Sequence, residues 1–208
     1  MNKKLTIAAL LLLTGIGCWF FGGFGPGELV NYPPTATGPW IAFGDSLTAG
    51  SGADSGEDYP SVFSKLTGIK VQNLGIPGNT SQNGLARVEA AAKLKPKVVL
   101  LCLGGNDALQ DIPHEVTSEN LGKLIDRFHR EGSFVILIGI QSGLRNKNPE
   151  YFEELAREKK VLLLDNILGG ILTNGALKAD RLHPNAKGYE KIAQRFTLDL
   201  ATYLPQLR

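Results

Sequence analysis

Ser46 stands at the point where an apolar run changes into a polar turn. Residues 40–43 are apolar throughout, which indicates a short buried strand, and Gly44 and Gly50 bracket the turn that follows. Ligands of open parallel sheets bind beyond the carboxyl ends of the strands, so a hydroxyl on such a loop is a candidate nucleophile. A serine in a turn also commonly bonds only nearby backbone N–H groups, and Ser46 alone fits both interpretations.

Asp180 and His183 are three residues apart, and Pro184 follows directly. At this spacing the carboxylate can reach back to the imidazole Nδ1–H and fix the tautomer that leaves Nε2 free as a base. The pair therefore predicts a general base with its orienting group. A histidine before a proline at the start of a helix is also a common helix-entry residue, so the pair is a candidate and no more.

Two further glycine-rich loops offer hydrogen-bond donors that acyl transfer can use. One contains Gly78, whose backbone N–H is such a donor, and the other is Gly104-Gly105-Asn106-Asp107, where the Asn106 side-chain amide is another. Taken alone, the second loop is a turn in which Asn106 and Asp107 bond local backbone.

Strands and helices alternate along the chain. The pattern predicts strands at 40–43, 71–74, 98–103, 134–138 and 161–164, and helices at 58–66, 85–94, 118–130, 149–159 and after Pro184. The run 98–103 is continuously apolar, as a parallel strand covered on both faces requires. The alternation predicts an α/β domain with a parallel sheet and right-handed crossovers.

The N-terminus differs from the rest of the chain. Lys3 and Lys4 precede an uncharged, largely apolar stretch that ends near residue 27, which is typical of a signal peptide or a membrane anchor. We find no clear cleavage site, so residues 1–27 are interpreted as an anchor that exports the chain to the outer face of the cytoplasmic membrane. Cleavage, lipidation of Cys18 and a buried core helix are the alternatives.

The stretch 22–38 is rich in Gly and Pro and lacks periodicity, so residues 28–38 are predicted to be a tether, and residues 39–208 form the predicted domain. The net charge of +2 over 208 residues gives this chain no electrostatic reason to bind nucleic acid. The three histidines lack ligand spacing, so no metal is expected, and neither a dinucleotide nor a nucleoside-triphosphate motif occurs, so no cofactor is expected. Cys102 lies in an apolar run and is interpreted as a small core residue.

Four blocks occur together in a fixed order, and together they resemble the SGNH or GDSL hydrolase family. They are residues 42–50 around Gly-Asp-Ser-Leu, residues 78–87, residues 103–107 and residues 180–184. The likeness extends from about residue 40 to the last helix, and is greatest to the bacterial lysophospholipase, thioesterase and arylesterase branch. It implies a flavodoxin-like three-layer α/β/α sandwich with a mainly parallel five-stranded sheet.

The resemblance also implies roles for particular residues. Ser46 is then the nucleophile, His183 the general base and acid, and Asp180 the group that orients it. The oxyanion hole is formed by the Ser46 and Gly78 N–H groups and the Asn106 amide, while Asp45 and Asp107 are interpreted as scaffolding. The expected activity is hydrolysis of carboxylic esters or thioesters through an acyl-enzyme, on small-molecule substrates with short to medium acyl groups or resembling lysophospholipids. Because His183 must be neutral, activity should fall below about pH 6 to 7.

Two other functions remain open at this point. A carbohydrate or cell-wall O-acetyl esterase would use the same residues, and the polar stretch 141–148, expected beside the cleft, leaves the preferred acyl length undecided. A membrane-tethered binding module without turnover is the alternative from another class. Gly-x-Ser-x-Gly is absent, so the nucleophile elbow of the α/β-hydrolases does not hold Ser46.

Overall fold

A single parallel sheet forms the centre of the domain. The computed structural model describes residues 28–140 and 149–208. The strands are β1 (Trp40–Gly44), β2 (Val71–Gly75), β3 (Val98–Cys102), β4 (Phe134–Ile138) and β5 (Leu162–Leu164). All neighbouring pairs are parallel and the order is β2-β1-β3-β4-β5, which is the flavodoxin-like order. The predicted α/β fold is confirmed, with a sheet that is parallel throughout.

Helices cover both faces of this sheet. They are α1 (Ser46–Ala49), α2 (Tyr59–Thr67), α3 (Ser81–Ala92), α4 (Gly105–Leu109), α5 (His114–His129), α6 (Tyr151–Lys159), α7 (Ala186–Asp199) and α8 (Leu204–Leu207), with a 3₁₀ turn at Gly175–Leu177. Strand β1 shows the layering, because Trp40 stacks on Phe63 of α2 at 5.9 Å between ring centroids, while Phe43 meets Phe128 of α5 at 5.6 Å. Strands β1, β3 and β4 are buried at every residue, as expected for a sheet between two helical layers.

Two helices begin earlier than the sequence predicted. Helix α3 starts at Ser81, because the Thr80 hydroxyl accepts from the Asn83 N–H while the Asn83 side chain accepts from the Thr80 N–H. This is a capping box with asparagine in the place where Glu or Gln is usual, so the signal is easily missed. Helix α5 starts at His114, directly after Pro113, and its first turn lacks the apolar spacing used to predict it.

Residues 28–38, predicted as a tether, pack on the domain as an irregular segment that we call the N-terminal strap. The Asn31 side chain donates to the carbonyl of Ser133 at 3.1 Å, and the Tyr32 ring lies 5.2 Å from that of Phe134. The expectation of a free tether is therefore wrong for these residues. Periodicity cannot detect such a segment, because its contacts are made by an extended backbone and single side chains.

The strap runs along the amino ends of the strands. Its backbone N–H groups donate to carbonyls that lie just before β5, β4 and β3: Val30 to Lys160 at 3.0 Å, Thr35 and Ala36 to Gly132 at 3.1 Å, and Gly38 to Lys95 at 3.0 Å. Residue 28 is thus at the edge of the sheet opposite the carboxyl ends of the strands.

Residues 1–27, which are predicted to form an anchor and include Cys18, and the stretch 141–148 lie outside the described residues. Within 28–140 and 149–208, no helix combines the length and the apolar character needed to cross a membrane. Cys102 is fully buried in β3, which confirms its interpretation as a core residue.

Candidate active site

Ser46 is placed at the carboxyl end of β1 by a tight strand-to-helix transition. It is the first residue of α1, where the sequence had indicated only a turn, and the Asp45 carboxylate caps that helix by accepting from the Leu47 N–H at 3.0 Å. A side chain at Gly44 would clash with the Thr48 hydroxyl and the Cys102 carbonyl, so only glycine fits here. The hydroxyl is therefore presented at the edge where parallel sheets bind ligands.

His183 and Asp180 meet Ser46 from the other end of the chain. The Asp180 Oδ2 lies 2.8 Å from His183 Nδ1, and His183 Nε2 lies 3.0 Å from Ser46 Oγ. The Asp180 Oδ1 accepts from the N–H groups of Leu182 and His183 at 2.7 and 2.8 Å, which folds the loop back on itself. The contact predicted between Asp180 and His183 is confirmed.

The charge of Asp180 decides which tautomer His183 adopts. Hydrogen bonds from the His183 ring and the Leu182 N–H lower the pKa of the Asp180 carboxyl to about 2, so it is ionised at neutral pH. An ionised carboxylate can only accept, so it takes the Nδ1–H of a neutral imidazole. Nε2 then presents a lone pair to the Ser46 hydroxyl, as a general base must.

Asn106 lies between the loops that carry Ser46 and Gly78. Its Nδ2 donates to the Asn79 carbonyl at 3.0 Å and to the Asp45 Oδ2 at 3.3 Å. Asn106 is therefore hydrogen-bonded to the residue that follows Gly78 and to the residue that precedes Ser46. Gly78 has φ 81°, a left-handed conformation that favours glycine, and the position where a Cβ would stand is open. The three predicted donors are thus brought to one end of the sheet.

Asp107 anchors the short helix that presents Asn106. Its carboxylate is 1% exposed and accepts from the Ser81 N–H at 2.8 Å, from the Ser81 hydroxyl at 2.5 Å and from the Thr117 hydroxyl at 3.3 Å. Asn120 donates to the same serine hydroxyl at 3.0 Å. These bonds tie α4 to the first residue of α3 and to α5, which confirms the interpretation of Asp107 as scaffolding.

Asp45 has a less favourable environment. Burial raises the pKa of its carboxyl to about 7, although the hydrogen bond from the Leu47 N–H acts in the opposite direction. It is 2% exposed, and its side-chain donors are the Leu47 N–H and the Asn106 amide. A carboxylate held so near the proposed oxyanion donors at this cost is a feature that the sequence could not reveal.

Two residues to which the sequence analysis gave no role lie beneath this site. Arg87 and Asn79 fall inside the second motif block, but their spacing indicated only a helix and a turn. The sequence feature that could have drawn attention to Arg87 is a positive charge in a helix that must pack against the sheet.

Among the described residues, no group of three His, Cys, Asp or Glu side chains could hold a metal ion.

Comparisons with known proteins agree with this geometry. The GDSL-like Lipase/Acylhydrolase family matches residues 42–191, a span that contains all five predicted site residues. Esterase TesA of Pseudomonas aeruginosa is 32% identical over 158 residues, covering 69% of this chain and 78% of that protein. Thioesterase 1/protease 1/lysophospholipase L1 of Escherichia coli is 29% identical over 175 residues, covering 79% and 84%. The crystal structure of TesA matches at TM-score 0.70 and 27% identity, over 79% of this chain and 99% of that one.

Proposed function

The chain belongs to the GDSL-like lipase/acylhydrolase family, the SGNH hydrolases, and from this premise we propose that it cleaves carboxylic esters through an acyl-enzyme on Ser46. The observation that carries the proposal is the unbroken hydrogen-bond chain from Asp180 through His183 to Ser46. His183 and Ser46 are 137 positions apart in sequence, so the fold itself brings the members of this hydrogen-bond chain together. A triad is recognised by such geometry and not by sequence order.

In the first half of the reaction, the Ser46 oxygen attacks the ester carbonyl carbon while His183 Nε2 takes the hydroxyl proton. The carbonyl π electrons move to oxygen, and the N–H groups of Ser46 and Gly78 with the Asn106 amide stabilise the resulting anion. When the carbonyl re-forms, the bond to the leaving alkoxide or thiolate breaks and His183 returns the proton to it. Ionised Asp180 stabilises the imidazolium between these steps.

In the second half, water takes the part of the serine. His183 removes a proton from water as it attacks the acyl-enzyme, and the same donors stabilise the second oxyanion. Collapse of this intermediate breaks the bond to the Ser46 oxygen, which receives the proton from His183. The carboxylic acid leaves and the free enzyme is restored without a cofactor.

The test of this proposal uses the full chain and its Ser46→Ala variant on p-nitrophenyl esters, with a fluorophosphonate probe as second readout. Turnover and covalent labelling should both vanish in the variant, and Asn106→Ala should lower kcat by about 10²- to 10³-fold. A folded protein that neither labels nor turns over any ester would favour the non-catalytic binding module. Turnover that persists in Ser46→Ala would contradict the nucleophile.

Exposed apolar side chains near the site residues in sequence support esters with apolar acyl or aryl groups as substrates. Three apolar side chains that are close in sequence to site residues are each at least 45% exposed: Ile76, two residues before Gly78, Leu109, the last residue of the helix that carries Asn106, and Leu182, next to His183. Exposed apolar side chains grouped at a site commonly mark where an apolar partner binds. The names of the relatives, an esterase and a thioesterase 1/protease 1/lysophospholipase L1, support carboxylic esters, thioesters or lysophospholipid-like molecules as substrates, and we propose short to medium acyl groups.

The carbohydrate O-acetyl esterase is the second candidate, and acyl length separates the two. We expect kcat/KM to rise from acetyl to butyryl or hexanoyl p-nitrophenyl esters, with a smaller rise when Leu109 is replaced by Ser. Activity confined to acetyl esters, together with release of acetate from acetylated oligosaccharides, would favour the second candidate.

We also propose that the N-terminal segment exports the chain and holds it on the membrane, with the site facing away from the bilayer. The supporting observation is the position of residue 28 at the amino-end edge of the sheet, opposite Ser46. The full chain should fractionate with washed membranes, and a chain starting at residue 28 should not. In reconstituted vesicles, water-soluble esters should then be cleaved as fast as in detergent. Faster cleavage of esters dissolved in the same bilayer would contradict the outward orientation.

A further inference from the structure

Arg87 of α3 makes an unusual set of contacts beneath the carboxyl ends of two strands. Its Nη2 donates to the Gly44 carbonyl at 2.8 Å, its Nη1 to the Leu74 carbonyl at 3.0 Å and its Nε to the Asn79 Oδ1 at 2.8 Å. The guanidinium carbon lies 3.8 Å from the centre of the Phe43 ring. All three acceptors are uncharged, and burial lowers the pKa of this side chain.

These contacts join two of the three proposed oxyanion donors to one cation. The Arg87 side chain fixes the side chain of Asn79, which follows Gly78 directly, and so restrains the loop that presents the Gly78 N–H. The backbone carbonyl of the same Asn79 accepts from Asn106 Nδ2 at 3.0 Å. A displacement of Asn79 would therefore move both donors at once.

We propose that Arg87 is a positioning residue for the oxyanion hole. By holding Asn79 in place, it determines the positions of the Gly78 N–H and of the Asn106 amide. The inference rests on the proposed function, since it assigns Arg87 a part in stabilising the anion that forms there. Arg87 does not touch the reacting atoms and acts only through the loop.

The chemistry of arginine explains why another residue cannot do this. The planar guanidinium donates in three directions within one plane and stacks its face on an aromatic ring. Lysine has a single ammonium on a flexible stem, so it cannot reach the Gly44, Leu74 and Asn79 acceptors together. A residue needed only to fill space at this position could be neutral and avoid the cost of burying a charge.

The experiment compares Arg87→Lys and Asn79→Ala with a matched control, Arg195→Lys, in the full chain. Arg195 of α7 is also a partly buried arginine that donates to loop carbonyls, those of Asn166, Ile167 and Gly169, but it has no link to the oxyanion donors. We measure kcat, KM and the melting temperature of each variant on one p-nitrophenyl ester. Asn79→Ala removes a single acceptor and keeps the backbone, so it tests the link if Arg87→Lys does not fold.

We expect kcat to fall about 10- to 100-fold in Arg87→Lys and somewhat less in Asn79→Ala, with KM within about twofold, because misplacing donors costs transition-state stabilisation. Arg195→Lys should lower the melting temperature and leave kcat unchanged. In an Asn106→Ala background, Arg87→Lys should cost less than it does alone, because part of its effect passes through Asn106.

Two results would overturn the inference. One is an unchanged kcat in Arg87→Lys and Asn79→Ala when the melting temperature falls as in the control. The other is a loss in the double variant equal to the product of the two single losses. A failure of the proposed function would be seen in a different comparison, that of the unchanged protein with the single variant Ser46→Ala. There it would appear as turnover that persists in the variant.

Discussion

Replacing Asp45 by Asn should remove a loss of stability that the unchanged protein suffers as the pH rises, while it slows the reaction. The buried carboxyl of Asp45 has its pKa raised from the ordinary 3.8 to about 7. An acid whose pKa is higher in the folded state favours folding when it is protonated. The contribution of Asp45 to the free energy of unfolding is therefore most favourable below about pH 4, and it becomes less favourable as the pH rises to about 7.

The size of the effect follows from the pKa difference. Each unit corresponds to about 1.4 kcal/mol, so ionising Asp45 in the folded protein costs about 4 kcal/mol at pH 8, and about 3 kcal/mol of this develops between pH 5 and pH 8. Asn does not titrate and escapes this cost. Its Oδ1 can still accept from the Leu47 N–H, but its Nδ2 would face the Asn106 Nδ2, which lies 3.3 Å from the present Oδ2.

The contact between two donors destabilises the variant by a similar amount at every pH, so the pH dependence isolates the carboxyl. Urea denaturation at pH 5 and pH 8 gives the free energy of unfolding of both proteins. The difference, variant minus unchanged protein, should grow by about 3 kcal/mol between the two pH values. Because Asn106 is displaced, kcat should fall by about 10- to 100-fold.

Asp58→Asn is the matched control. Asp58 is also buried, but its carboxylate accepts from the Ser61 N–H and hydroxyl and from Asn73, and has no contact with Asn106. Its replacement should cost stability and leave kcat unchanged. The reasoning about burial would be refuted if the free energy of unfolding of Asp45→Asn, minus that of the unchanged protein, changed by less than about 1 kcal/mol between pH 5 and pH 8.

Three further outcomes are expected. Asp180→Asn should lower kcat by up to about 10⁴-fold with little change in stability, because it favours the wrong His183 tautomer, and a loss under tenfold measured at saturating ester would contradict that role. Burial lowers the pKa of His129 to about 4, so the free energy of unfolding should fall by about 1.4 kcal/mol for each pH unit between about pH 6.5 and pH 4. In urea denaturation, His129→Leu should remove this dependence of the free energy of unfolding on pH. The same dependence in the variant would contradict the role of His129. Gly84→Ala should cost about 1 to 3 kcal/mol, because its methyl group would press on the side chains of Leu103 and Leu124, and a variant as stable as the unchanged protein would show that these side chains move aside freely.

The parts of the site that could be predicted are those that local sequence encodes. Ser46, Gly78 and Asn106 each follow a buried strand, and parallel strands bring their carboxyl ends to one edge, so the three loops had to meet. Asp180 and His183 are close enough in sequence for one turn of chain to join them. The common location of these residues could thus be predicted from the pattern of strands and turns, while their roles were implied by the resemblance to the SGNH hydrolases.

The supporting contacts could not be predicted, because they join residues that are distant in sequence. Nothing near Arg87 indicates that its acceptors are the carbonyls of Gly44 and Leu74, 43 and 13 positions away. The N-terminal strap has the composition of a linker, and it is held by carbonyls that precede three different strands. Such contacts become visible only when the packing of the helices on the sheet is known.

Asp45 and Asp107 show how far the two kinds of information differ. Each stands next to a site residue in a motif, so both were interpreted from the sequence as scaffolding. The Asp107 carboxylate accepts from the N–H and the hydroxyl of Ser81 at the start of α3 and from the Thr117 hydroxyl in the first turn of α5, so its hydrogen bonds are satisfied and it stabilises the fold. Asp45 is as deeply buried but has fewer donors, and burial opposes its ionisation. Ionising Asp45 lowers the stability of the fold, but its carboxylate accepts from the Asn106 side-chain amide and so holds that amide next to Ser46. Active sites often keep such residues, because the position of a catalytic group matters more to function than the stability that is lost.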